Sequence, residues 1–183
     1  MDKQKRKLYR GTLCILYQNG RYLMRFETAG INKNMWIFPG GSYKQLESGR
    51  METGSECTSR EAQEETGLTP LDLRYRARVF FDNHLRIFPG EKDIADFDYD
   101  ATYFQTSQFS GEFRDISPDG RKQAWFPHEE AIRLPMHEGD RELLRAIQGL
   151  NCCFEAVIVH EKDKLKQFHL EFLPLFQRLT PLQ

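Results

Sequence analysis

The sequence predicts an α+β fold, a mixed β-sheet between helices, in one domain over residues 1–183. Three observations carry that prediction. Strand-like segments, a capped helix, more strands, a second helix and a closing strand pair follow one another along the chain. No run of strand–helix–strand units of the dinucleotide-binding kind occurs. A length of 183 residues, with 39% hydrophobic and 29% charged, suits one soluble domain able to bury a core.

The elements follow in order. Residues 1–7 are basic but short, and read as a flexible solvated tail. Residues 10–17 and 21–26 read as strands, joined by Asn19-Gly20, a strong signal for a two-residue hairpin turn. Residues 28–34 are polar and contain glycine, so they read as a loop. Residues 35–38 form a short apolar strand that ends at Pro39-Gly40-Gly41, and residues 42–51 a polar loop. Thr53-Gly54-Ser55-Glu56 fits a capping box, with Glu56 reaching back to the cap. Gly67 stands where a helix end takes its glycine. A helix is therefore expected between them. Strands are expected at 73–81 and 99–105, with 84–98 irregular between them, and a loop at 110–120. A short strand at 123–126 and one helical turn at 129–133 lead to a helix at 139–147, with Leu143, Leu144 and Ile147 inward. Residues 154–160 and 167–172 alternate like a closing hairpin.

The net charge of −1 creates no field that would draw the chain to nucleic acid or an anionic membrane. No apolar run approaches a membrane span, and no signal peptide precedes the first strand. Cysteines at 14, 57, 152 and 153 show no metal spacing, and adjacent Cys152 and Cys153 cannot make an unstrained disulfide. These features predict a reduced, cytoplasmic protein with structural thiols. His84, His128, His160 and His169 show no ligand or triad spacing and read as surface or satisfied histidines.

The chemistry concentrates on the first helix. Glu64 and Glu65 follow Glu61 by three and four positions, so all three carboxylates share one face. Like charges at that spacing repel. A divalent cation removes the repulsion, because magnesium takes carboxylate and phosphate oxygens and activates water. A plain solvated acidic face is the alternative. Arg60 is expected to pair with Glu52 and fix the loop against the helix. Gly40 and Gly41 let the backbone approach closely, so that a carbonyl can reach a metal.

Glu52, seven residues, then Arg60-Glu61-Ala62-x-Glu64-Glu65-x-Gly67-Leu68, preceded by Trp36-x-Phe38-Pro39-Gly40-Gly41, resembles the signature of the Nudix hydrolases. Those enzymes cut a nucleoside diphosphate linked to another group. The resemblance implies a Nudix-type α/β/α sandwich and a Mg2+ cofactor, with Mn2+ as a substitute. It makes Glu61, Glu64, Glu65 and the Gly40 carbonyl metal ligands, with Glu61 or Glu64 as general base. It gives Gly41, Glu52, Arg60 and Gly67 structural roles. Ten residues separate Gly41 from Glu52, twice the family's spacing, which reads as an insertion within residues 42–51. Ser42 stands where a lysine often follows the glycines, with Lys44 as its substitute.

The second half is similar to the MutT-like branch, which hydrolyses oxidised purine nucleoside triphosphates. The match runs through residues 109–113, Trp125-Phe126-Pro127, residues 134–140 and residues 154–159. It implies that Asp140 hydrogen-bonds the purine edge, with His137 and Trp36 beside it. Glu138-Gly139-Asp140 reads equally well as a helix cap. His137 stands where the branch often has tryptophan, Ile37 where some members have asparagine, and Gly120, next to Asp119, where a further acidic ligand is common. Trp125 reads as core, and Glu91, Asp93, Asp96 and Asp98 as solvated charge. The expected partner is a small-molecule nucleotide, with no nucleic acid and no membrane, for a monomer or homodimer. The expected reaction converts a purine nucleoside triphosphate to monophosphate and pyrophosphate. ADP-ribose or dinucleoside polyphosphate hydrolysis, and a silent nucleotide-sensing module, are the alternatives.

Overall fold

The computed structural model describes residues 6–87, 94–149, 152–161 and 164–173, without the side chains of 84–87, 94–96 and 149. Residues 1–5, Glu91 and Asp93, and the side chains of His84 and Asp96, lie outside the described residues.

β1 (Lys7–Gln18) organises the molecule. Its middle reads as an unbroken apolar run because the strand is covered on both faces. Ile15 joins a core cluster with Leu143, Leu144 and Ile147 of α3 (Glu138–Gly149). Its neighbours Cys14 and Leu16 join a second cluster with Ala62 of α1 (Gly54–Thr66). The sheet thus lies between α1 and α3, the mixed α+β sandwich that the sequence predicts.

β2 (Arg21–Phe26) returns antiparallel through Asn19 and Gly20, whose φ angles of 51° and 75° both lie in the left-handed region. β3 (Trp36–Ile37) pairs with β2, and β4 (Gly40–Ser42) pairs back on β1. β6 (Arg74–Ile87) and β7 (Ile94–Thr106) pair with each other, and β7 runs parallel to β1. β9 (Gln123–Pro127) extends the β2 side, and the turn α2 (His128–Ala131) follows. β10 (Phe154–Glu161) runs parallel to β6, and β11 (Lys164–Phe172) closes that edge. Among the described residues the sheet order is β11-β10-β6-β7-β1-β2-β3. A separate two-stranded sheet joins β5 (Leu68–Pro70) to β8 (Phe109–Gly111).

Several expectations shift. Arg6 and Lys7 are not part of a solvated tail: Lys7 is already in β1, and Arg6 pairs with Asp82 at 2.6 Å and Asp98 at 2.7 Å. The stretch 84–98 is not irregular throughout: β6 runs to Ile87 and β7 starts at Ile94. β5 and β8 escape a periodicity reading because three residues show no alternation. Cys14 and Cys57 are buried as expected, whereas Cys152 and Cys153 are half-buried.

Candidate active site

α1 begins as its sequence requires. The Thr53 hydroxyl accepts from the Glu56 N–H at 3.3 Å, and the Glu56 carboxylate accepts from the Thr53 N–H at 2.8 Å. Gly67, at φ 79°, ends the helix and donates to the Gln63 carbonyl. These two ends fix the rotation of the helix. Cys57, Thr58, Ala62 and Thr66 turn inward, Glu61 and Glu65 reach β4, and Glu64 stays exposed beside Lys44. The backbone at β4 packs close. A Cβ at Gly40 would run into the Thr12 carbonyl oxygen, and one at Gly41 would lie 2.5 Å from the Glu61 carboxyl. The Glu61 carboxylate therefore occupies the space that a side chain at 41 would take.

Arg60 ties the loop to this face. Its Nε and Nη2 donate to the two Glu52 oxygens at 2.6 and 2.8 Å, and Nη2 also donates to the Ser42 carbonyl at 3.1 Å. Its Nη1 reaches Glu61 at 2.6 Å and Glu64 at 3.1 Å. Arg60 holds the Glu52 carboxyl down to about 2, and Glu52 in turn raises the Arg60 pKa. The insertion is closed off at its base. Lys44 N–H donates to Glu52 Oε2 at 2.8 Å, Glu52 N–H donates to the Lys44 carbonyl at 3.0 Å, and Gln45 bridges Met51. Residues 47–51, beyond that closure, are exposed. Lys44 Nζ lies 3.3 Å from Glu64.

Glu65 lies deeper. It accepts from the Gly40 N–H at 3.0 Å and pairs with Arg25, which also holds Glu27 at 2.7 Å. Burial, reinforced by Glu61 and Glu27, pushes the Glu65 carboxyl up to about 7 against the pull of Arg25 and the Gly40 N–H. Arg121 joins Glu27, at 3.3 Å, to Asp119, at 2.7 Å. Arg121 thus links Asp119 to the network. Among the described residues, no three His, Cys, Asp or Glu side chains are grouped so as to hold a metal ion as they stand. Arginines occupy the carboxylates.

Gly40, Ser42, Arg25 and Glu27 also form part of the wall of a cavity of about 460 Å³ between the sheet and α3. Trp36, Phe38, Phe81, Phe97, Tyr99 and Tyr103 supply its aromatic lining. Burial raises the Tyr99 and Tyr103 hydroxyls well above their ordinary pKa, so both stay protonated. All three sequence-chosen substrate residues, Trp36, His137 and Asp140, line this cavity. His137 is buried and its Nε2 lies 2.9 Å from Asn32 Oδ1. Asp140 stands in the first turn of α3 and is part of the cavity wall. Trp36 packs edge-on against Phe126, and Trp125 belongs to the second core with Phe109 and Phe113.

Sequence reasoning missed Arg25, Glu27, Asn83 and His160 as cavity residues. Arg25 carried one signal: a charged residue in an apolar strand, which the structure buries to 5% exposure. His160 is buried, with its Nδ1 3.2 Å from Asn83 Oδ1, and it also lines the cavity. His169 is exposed beside Glu171, and His128 packs edge-on against Tyr22.

A mutator MutT protein from Bacillus halodurans has a similar fold, with a TM-score of 0.71 and 23% identity over 89% of this chain and 97% of that one. A MutT NUDIX hydrolase from Burkholderia pseudomallei gives 0.57 and 22%, over 76% and 97%. The ORF135 protein of E. coli gives 0.58 and 20%, over 79% and 91%. A family model for the NUDIX domain matches residues 7–147, the span that carries the capped acidic helix, its arginine clamp and most of the cavity wall, and on that match this chain belongs to the NUDIX family of hydrolases of nucleoside diphosphate-linked compounds.

Proposed function

We propose that this chain hydrolyses purine nucleoside triphosphates, oxidised ones included, to monophosphate and pyrophosphate with Mg2+. The observation that carries this reading is placement. The face bearing Glu61 and Glu65 meets the Gly40-Gly41 backbone, and Gly40 is also part of the wall of an aromatic cavity large enough for a base and sugar.

The residues suit a hard cation. The four proposed ligands offer only oxygens, and burial first, then crowding by Glu61 and Glu27, raises the cost of charge on Glu65. Glu61, Glu64 and Glu65, with the Gly40 carbonyl, would hold the ion. Glu61 and Glu64 would first turn away from Arg60. A bound magnesium ion would polarise the phosphate and lower the pKa of a water. Glu61 or Glu64 takes the water's proton. Arg60 keeps Glu52 and the loop at Ser42 in place throughout. Trp36 and the cavity aromatics hold the base, with Asp140 and His137 at its edge, and the apolar wall excludes water from the stacked ring.

The test is a panel of 8-oxo-dGTP, dGTP, the other dNTPs, ADP-ribose and diadenosine polyphosphates with Mg2+, with products separated by chromatography. Release of monophosphate and pyrophosphate from a purine triphosphate is expected. Preference for ADP-ribose or a dinucleotide would overturn the substrate but not the chemistry. Glu64→Gln and Glu65→Gln should each remove most turnover and weaken Mn2+ binding seen by paramagnetic resonance, without unfolding. Full activity in both variants would refute the metal assignment.

A further inference from the structure

The other face of the sheet carries a groove that the chemistry above does not use. Side chains alternate along β1 and β7, so Tyr9, Tyr99 and Tyr103 line the cavity while Arg10, Asp100 and Thr102 take the opposite face. With Arg78 of β6, these three make the floor of a groove of about 700 Å³. Its wall is Tyr43 and Met51, near the two ends of the insertion.

Charge in the floor is uneven. Arg78 Nε and Nη2 donate to the two Asp100 oxygens at 2.9 and 2.8 Å. Arg10 is left over. Its distance to Asp100 Oδ2 is 3.9 Å, it makes no hydrogen bond to any described residue, and its side chain is 66% exposed. Two guanidiniums thus face one carboxylate, and the unspent charge sits on Arg10. The wall is of another kind: Met51 is 54% exposed, and the Tyr43 ring beside the same groove is half-buried.

These parts define a ligand. A guanidinium presents a planar fork of N–H donors that grips an oxyanion at two points. A thioether and an aromatic ring offer a polarizable surface for a flat ring. The Thr102 hydroxyl can donate or accept between them. The volume is that of a small-molecule site.

We infer that this groove binds a small aromatic anion, with its carboxylate or phosphate on Arg10 and its ring between Tyr43 and Met51. The site is separate from the cavity and does not rest on the nucleotide reading. Its occupant nonetheless reaches the acidic face. Tyr43 lies between Ser42, whose carbonyl Arg60 holds, and Lys44, whose N–H holds Glu52, and Met51 adjoins Glu52 in the chain. A ligand seated there ties both ends of the insertion to the sheet.

The test uses naphthyl phosphate and naphthoate, whose own fluorescence reports binding. Naphthylmethanol supplies the ring without the charge, and inorganic phosphate, as a competitor, the charge without the ring. Both naphthyl anions should bind, and more tightly than either control; the tighter of the two tells a phosphate ester from a carboxylic acid. Arg10→Gln should weaken them about tenfold, the scale of one charge-assisted hydrogen bond, and Met51→Ser should weaken them as well. Both side chains are exposed, so neither change should move the thermal midpoint. Trp36→Leu, which alters the cavity, should leave binding unchanged. Bound anion should also slow amide hydrogen exchange across residues 43–52. Binding lost in Trp36→Leu would place the probe in the cavity and overturn the inference. Full affinity in Arg10→Gln or Met51→Ser, equal affinity for the neutral ring, or no binding of either anion would overturn it too.

Discussion

Gly41 is the residue where backbone and chemistry meet. An alanine there puts its methyl 2.5 Å from the Glu61 carboxyl, and only the far end of that side chain has to move. Gly41→Ala should therefore fold with a thermal midpoint close to wild type but lose most turnover, because the displaced group is a proposed ligand and base. Parallel measurements of melting and kcat would check this; full activity would free Glu61 from either role. Glu52 makes the complementary case. Its folded pKa of about 2 lies below the ordinary 4.5, chiefly through the hydrogen bond from Arg60. The stability it contributes is complete above 4.5 and fades as pH falls from there toward 2. Glu52→Gln should cost about 1.5–3 kcal/mol at neutral pH and should flatten the acid side of the stability curve. Denaturant unfolding at several pH values measures both. The Arg60–Glu52 pair was legible in the sequence because spacing on a capped helix fixes which face a residue takes. Arg25 was not, because its partners Glu27 and Glu65 converge only once β2 packs beside α1.

Among the elements, α1 was read almost to the residue, since both its ends are written in local hydrogen bonds. Thr53→Ala removes the acceptor for the Glu56 N–H and should cost about 1 kcal/mol, without altering substrate preference; a thermal melt and a substrate panel test the two halves of that statement. The insertion was legible as extra length but not as a closed loop, because the Lys44–Glu52 backbone pair that seals it depends on Arg60 pulling Glu52 into place. α3 declared its buried stripe of Leu143, Leu144 and Ile147 through helical spacing. Its close seat on β10 turns on Gly139, where a Cβ would stand 2.5 Å from Ile158, and the sequence offered no way to see what that glycine faces.

At the scale of the molecule, the sheet's order was hidden. Periodicity shows that a segment is a strand. It does not show that β1 pairs with β7 or β10 with β6, since those partners are distant in the chain. The cavity depends on those pairings, because its wall draws on β1, β2, β6, β7, β10 and α3 together. A ligand bound there ties the core to both sides of the sheet. A nucleotide at a hundred times its dissociation constant should add about 2.7 kcal/mol and raise the thermal midpoint by roughly 5–10 °C for a chain of this size. Scanning calorimetry with and without nucleotide reads that shift directly, and an unmoved midpoint would argue against binding in the cavity.

The parallel pairing of β1 with β7 also sets a timetable. Lys7 finds its neighbour only when Phe97 exists, and Ala77 waits for Phe154. A ribosome adds roughly 5–20 residues per second. For several seconds of synthesis, then, the nascent chain carries an apolar strand with no permanent neighbour on one side, next to a helix already able to form. The acidic face of α1 can be assembled early, but the cavity wall is completed only when β10 is made. A newborn copy of this protein passes through a stage at which its acidic face exists and has nothing to act on.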